Sequence, residues 1–251
     1  MKVMKFGGTS VGSPDRMKNV ASLITESGDP TFVVLSAMSG TTNSLIEISN
    51  YLYKKNPDGA NEVINTLEKK YMQHVEELYS TDEYKEKTRE FLREEFKYMR
   101  SFTKDIFTSF EEKSIVAQGE IMSTNMVLNY LQEQGIKATL LSAFDFMRTD
   151  KNAEPDAQYI KEKLTAIMTE NEGYQIYITQ GFICLNAYGE IDNLQRGGSD
   201  FTASLIGVAL GAEEIQIWTD IDGMHNNDPR IVDETDAIRQ LNFEEAAELA
   251  Y

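Results

Sequence analysis

Lys2-Val3-Met4-Lys5-Phe6-Gly7-Gly8-Thr9-Ser10-Val11-Gly12-Ser13-Pro14-Asp15 reads as three parts of one unit. Lys2 to Phe6 is a short strand, and the glycines from Gly7 to Gly12 break it into a loop. Ser13, Pro14 and Asp15 then supply an N-cap, a proline at the first helical position and an early acid, so a helix follows. Met17, Val20, Ala21 and Ile24 form its apolar stripe, and Gly28-Asp29-Pro30 closes it. Phe32-Val33-Val34-Leu35 is the continuous apolar run of a buried parallel strand. The pattern is β-loop-α-β, whose ligands bind at the carboxyl ends of the strands.

The same alternation extends outward. Ser36-Ala37-Met38-Ser39-Gly40-Thr41-Thr42-Asn43 is a small, polar loop leading into a helix with Leu45, Ile48 and Leu52. From about residue 56 to 112 the character changes to charged helix, with Val63, Leu67, Tyr71, Val75 and Leu78 on one stripe and Leu92, Phe96, Met99 and Ile106 on another. This reads as a helical insertion packed on the main sheet. A largely apolar helix is predicted from about Gln118 to Gln134, then a strand at Ala138 to Leu141, and a helix opened by Pro155. A strand from Ile176 to Gln180, a hairpin turn at Asn186 to Gly189, and a helix from Arg196-Gly197-Gly198-Ser199-Asp200 to Gly211 follow. Ile215 to Trp218 is the last strand, and Asn242-Phe243-Glu244-Glu245 starts a helix.

Composition narrows the function classes. The 251 residues are 41% hydrophobic and 10% aromatic, which suits a folded globular chain, and no apolar run reaches the ~18–20 residues of a membrane span. Lys and Arg number 24 against 41 Asp and Glu, so the net charge of −17 argues against a nucleic-acid or anionic-membrane surface. The first residues lack a secretory pattern and Cys184 is the single cysteine, so a reducing, cytoplasmic location is expected. His74 and His225 are the only histidines and no cysteine cluster accompanies them, so no protein-bound zinc is expected. Asp220-Ile221-Asp222-Gly223 lacks the spacing of a calcium loop and reads as a turn.

Two glycine pairs, Gly7-Gly8 and Gly197-Gly198, lie between extended structure and a helix, each with a cation alongside, Lys5 and Arg196. A tight turn alone explains one such pair. Two pairs fit phosphate recognition, because glycines admit backbone N–H groups close to an anion and a helix start adds positive potential. Glu120 reads either as a solvated helix acid or as a site carboxylate, and Asp200 either as a helix cap or as a group ordering Lys5.

Lys5-Phe6-Gly7-Gly8-Thr9-Ser10-Val11 resembles the opening signature of the aspartokinases, and four further blocks resemble that family in order. These are Ser36 to Asn43, Gln118-Gly119-Glu120 with Ser123, Arg196 to Asp200, and Trp218 to Arg230. The resemblance implies the amino-acid-kinase fold, a three-layer α/β/α sandwich with a largely parallel central sheet, over one catalytic domain at 1–251. It implies ATP- and Mg²⁺-dependent phosphorylation of the L-aspartate side chain to 4-phospho-L-aspartate, the first step toward lysine, threonine and methionine. Lys5 would contact the transferred phosphoryl group, Asp200 would order the centre, and Gly7, Gly8, Thr9 and Ser10 would line the phosphate path. Thr42, Glu120, Phe182, Arg196 and Ser199 would enclose aspartate, with Arg196 forked onto its α-carboxylate and Glu120 attracting its α-ammonium. Thr219, Asp220, His225 and Arg230 would serve the nucleotide.

The sequence departs from the family pattern at His225, where tyrosine is usual, and at Gln195, where glycine often precedes the arginine. The first puts nucleotide preference in question, the second the backbone of the loop. Sister kinases acting on glutamate, acetylglutamate, carbamate or a nucleoside monophosphate share the fold, and a non-catalytic sensor could keep the pocket without turnover. The pairing of Arg196 with Glu120 argues for a free α-amino acid, and Lys5 with Asp200 argues for turnover. The resemblance also implies a homo-oligomer for the full-length protein. It implies a further lysine-bearing ATP segment and paired regulatory domains beyond Tyr251, so weak ATP binding and no feedback by lysine or threonine are expected of residues 1–251 alone.

Overall fold

The computed structural model describes residues 1–104, 106–194, 197–228, 231–232 and 234–250. They form two compact units, Met1–Trp218 and the residues from Thr219 onward.

In the first unit, β1 (Lys2–Phe6) leads to α1 (Pro14–Thr25), β2 (Thr31–Leu35) and α2 (Thr41–Tyr53). The long helices α3 (Pro57–Leu78), α4 (Asp82–Ser101) and α5 (Ser109–Glu133) follow. Then come β3 (Ala138–Leu140), α6 (Ala143–Phe146), α7 (Ala157–Glu170) and β4 (Ile176–Gln180). The hairpin β5 (Ile183–Leu185) and β6 (Ile191–Asn193), α8 (Gly198–Leu210) and β7 (Glu214–Trp218) complete it.

Five strands form one sheet in the order β3-β4-β2-β1-β7, every neighbouring pair parallel. The helices after β1 and β2 cover one face and those after β3 and β4 the other, so the switch point, where open sheets hold ligands, falls between β2 and β4, one strand from the loop after Phe6. Strand parity divides the core. Met4, Phe6, Val33, Leu35, Ile176 and Ile178 face α1 to α5, whereas Val3, Phe32, Val34 and Tyr177 face α6 to α8. The result is the three-layer α/β/α arrangement. Lys5 shares the parity of Val3 and therefore points to the α8 side.

Local signals explain the helix starts. Ser13 Oγ accepts from the Arg16 N–H and Pro14 begins α1, burying Met17, Val20, Ala21 and Ile24. Helix α5 begins at Ser109, earlier than the expected Gln118, because Thr108 and Glu111 form a capping box. Ile106, expected on the α4 stripe, is 85% exposed, since α4 ends at Ser101 and a 3₁₀ turn at Phe102–Lys104 breaks the helical period. On α3 the buried stripe runs through Ile64, with Val63 only packed against its edge. Pro155 precedes α7, whose cap is Asp156. Cys184 is fully buried on β5, and burial pushes its thiol up to about 12.

The second unit contains α9 (Phe243–Ala250), opened by reciprocal bonds in which the Glu245 N–H donates to Asn242 Oδ1 and the Asn242 N–H to Glu245 Oε2. A backbone bridge joins His225 to Ala237. No helix among the described residues is long and apolar enough to cross a membrane.

Candidate active site

Three strands end at one cavity. β1 delivers Lys5, β2 runs into Ser36, and β4 runs through Gly181 to Phe182, around a volume of about 390 Å³. Of the residues singled out in the sequence, Lys5, Gly8, Thr42, Glu120, Phe182, Ser199 and Asp200 line it together. Gly7, Thr9 and Ser10 lie in the adjoining turn outside the lining, where the Ser10 N–H donates to Gly7 O at 3.0 Å. Arg196, with Gln195, lies outside the described residues, as does Arg230.

The Lys5 ammonium meets Asp200 Oδ1 at 2.7 Å, its side chain 12% exposed. Asp200 stands in the first turn of α8, and the cap position belongs to Gly197 at φ +83° with no side-chain cap, so Asp200 orients Lys5 and does not cap the helix. Gly8 is placed by space: a Cβ there would approach Ala37 O at 2.7 Å, so only glycine lets this loop lie against the loop after β2. The Ser39 N–H bonds Gly8 O at 3.0 Å across the same contact.

Glu120 comes from α5, which is buried on nearly all sides at this level. It is 4% exposed; Oε1 accepts the Ala37 N–H at 3.2 Å, and Oε2 is buried without a partner among the described residues. Burial raises its carboxyl to about 8, with the backbone bond from Ala37 acting in the opposite direction. The approach of α5 depends on Gly119, where a Cβ would stand 2.7 Å from Ala37 Cβ and 3.3 Å from Leu45 Cδ1. Gly119→Ala is therefore expected to destabilise the fold by about 1–2 kcal/mol, strain outweighing the gain in helix propensity. Urea denaturation checks this, and an unchanged or higher midpoint contradicts it.

Phe182 is a non-glycine residue at φ +69°, a strained backbone held by its N–H to Thr202 Oγ1 at 3.1 Å and by the Leu194 N–H to its carbonyl at 2.7 Å. The neighbouring Gly181 has no room for a Cβ, which would meet Ser199 Cβ at 2.6 Å. These contacts fix β4's end against the start of α8.

Several supporting residues were not singled out in the sequence. Arg16 Nη1 donates to Thr9 O at 2.7 Å, tying the glycine turn to α1. Ser123, already part of the Gln118-Gly119-Glu120 block, donates its hydroxyl to Ser36 O at 2.8 Å. Arg16 follows the Ser13-Pro14 cap directly and could have been suspected from its place, whereas Thr202 carries no signal beyond its helix.

In the second unit, Thr219, Asp220 and His225 line a separate cavity of about 660 Å³ with Asn226 and Leu249. The His225 ring is held at both nitrogens, by Thr235 Oγ1 at 3.0 Å and Asp222 Oδ1 at 2.6 Å, and the His225 bond holds the Asp222 carboxyl below its usual range. No group of three or more His, Cys, Asp or Glu among the described residues is arranged to hold a metal.

The sequence matches the amino acid kinase family over residues 1–251, and the chain belongs to that family. Among its relatives, lysine-sensitive aspartokinase 3 of Escherichia coli (strain K12) is 33% identical over 253 residues, covering 99% of this chain and 55% of that protein. Chloroplastic aspartokinase 1 of Arabidopsis thaliana is 34% identical over 264 residues, covering 99% and 45%. The R-state crystal structure of E. coli aspartokinase III in complex with aspartate and ADP matches with a TM-score of 0.87 at 32% identity, covering 100% of this chain and 56% of that one. The chain spans about half the length of the curated relatives it matches.

Proposed function

We propose that the chain binds L-aspartate and Mg²⁺-ATP and transfers the γ-phosphoryl group to the aspartate side chain, giving 4-phospho-L-aspartate. The observation that carries this reading is one cavity holding both the Lys5–Asp200 pair and the buried, half-partnered Glu120. A relative at 32% identity that holds aspartate and ADP supports it.

The acceptor carboxylate, with a pKa near ~3.9, is already ionised at neutral pH and needs no general base. Its oxygen forms a bond to phosphorus as the bond to the β-phosphate oxygen breaks and ADP leaves. Lys5, fixed by Asp200, neutralises charge on the phosphoryl oxygens as they transfer. Glu120 receives the substrate ammonium on its free oxygen, and Thr42, Phe182 and Ser199 enclose the rest. Arg196 on the α-carboxylate, and Thr219, Asp220, His225 and Arg230 on the nucleotide, belong to the same proposal by resemblance. With Asp200 as the cavity's exposed carboxylate, magnesium would take most of its ligands from phosphate and water and would supply charge neutralisation. The single, buried Cys184 fits a reducing compartment such as the cytoplasm.

Hydroxylamine trapping of the acyl phosphate tests this. With ATP and Mg²⁺, hydroxamate is expected from aspartate and not from glutamate. Hydroxamate from glutamate would transfer the assignment to a sister kinase, and the absence of both turnover and calorimetric aspartate binding would end it.

A further inference from the structure

Helices α3 and α4 carry no motif, yet consecutive residues of α3 reach the loop that rims the cavity. Lys70 Nζ donates to Ser39 O at 3.1 Å, and the Tyr71 hydroxyl pairs with Thr41 Oγ1 at 3.0 Å, both groups of that pair fully buried. Phe96 of α4 stacks edge-on against Tyr71, with centroids 5.8 Å apart at 74°, and so fixes the ring. A hydroxyl buried this deeply needs a partner, and the one it has stands at the first residue of α2.

The loop needs such support. Ser39, Gly40, Thr42 and Asn43 line the cavity, but Gly40 caps α2 at φ +82° with no side-chain cap bond, so the cap itself does little to set where α2 starts. The Ala37 N–H to Glu120 and the Ser39 N–H to Gly8 O hold the loop from the cavity side. Lys70 and Tyr71 hold it from the other side, at the two residues flanking Gly40.

We infer that Lys70 and Tyr71 are positioning residues: they pin Ser39 and Thr41 so that Thr42 and the start of α2 face the substrate, and they thereby set affinity for it. This rests on the reading of the cavity as an aspartate site. The helical layer is then part of the binding apparatus and not merely packing.

Steady-state kinetics and hydrogen exchange on the 251-residue chain test it. Tyr71→Phe keeps the ring and its stacking, and Lys70→Met keeps the stem. Each is expected to raise the aspartate KM about three- to tenfold with kcat within about twofold. Exchange at residues 36–43 should quicken, with exchange in α4 unchanged. Lys70→Arg, which retains a donor, should restore the KM. Thr41→Val should repeat the Tyr71→Phe effect without adding to it in the double variant. Val75→Ala, on the same buried stripe, should lower stability and leave the KM unchanged. Unchanged exchange at 36–43 in both Tyr71→Phe and Lys70→Met would overturn the inference. So would a KM shift in Val75→Ala equal to theirs. If the wild-type chain does not turn over aspartate, the proposed reaction fails, while the exchange comparison still decides whether α3 holds the loop.

Discussion

If the proposed reaction holds, Lys5→Met is expected to lower the rate of aspartyl phosphate formation on the order of a thousandfold and to leave aspartate affinity within about threefold. The reasoning begins with parity. Lys5 lies on the α8 side of β1 and is drawn to Asp200 at 2.7 Å, so its charge is aimed before any substrate arrives. A phosphoryl group in transfer spreads negative charge over its oxygens, and a cation held without reorganisation stabilises that charge more than the ground state. Methionine keeps most of the stem, so the strand stays packed. Asp200 is half-exposed, and water can solvate it once its partner is gone. The defect therefore belongs to kcat and not to folding. Hydroxamate production gives the rate and calorimetry the affinity; a rate within tenfold of wild type would remove Lys5 from the centre.

Glu120→Gln should show in two pH profiles. The folded carboxyl titrates near 8 against an ordinary value of 4.5, with burial as the main cause. Between those values the folded chain keeps a proton that the unfolded chain has released, so the stabilising contribution is complete below 4.5 and disappears as pH rises through about 8. Glutamine copies the protonated form at every pH. From pH 5 to 8 the Tm of the variant should therefore gain on that of wild type, by on the order of 5 °C. Aspartate binding runs the other way. The substrate ammonium needs a carboxylate, so binding expels the proton, wild-type affinity climbs between pH 6 and 8, and the variant binds about 10- to 100-fold more weakly at pH 8 with a flat profile. Parallel Tm curves, or a variant that binds aspartate like wild type, would show that Glu120 is not the ammonium site.

Much of this architecture is legible in the sequence because it rests on local pattern. The unbroken run Phe32 to Leu35, preceded by the Gly28-Asp29-Pro30 turn and rich in β-branched residues, reads as a strand covered on both faces, and Ser13-Pro14 announces α1 without help from packing. The start of α5 was equally local but hidden, since Ile106 suggested that the preceding stripe continued where the capping box of Thr108 and Glu111 begins a new helix.

The partners within the site are a different matter. Glu120 can be read as a solvated acid until α5 is seen to be buried around most of its circumference, though Ile115, Val116, Ala117 and Met122 on successive faces were a usable signal. That Asp200 meets Lys5 requires α8 to pack beside β1, which depends on strand order and not on any neighbouring residue. Tyr71 was legible as apolar stripe; the demand of its hydroxyl for a partner was legible too, but which partner was not.

Cys184 has a use in any experiment on this fold. A thiol sealed inside the hairpin and kept protonated to about 12 offers almost no thiolate to alkylating reagents or dyes at neutral pH. The chain therefore serves as its own silent background. A cysteine introduced on the exposed face of α2 would carry a fluorophore or spin label alone, and the movements of the rim loop could be followed without removing any native residue.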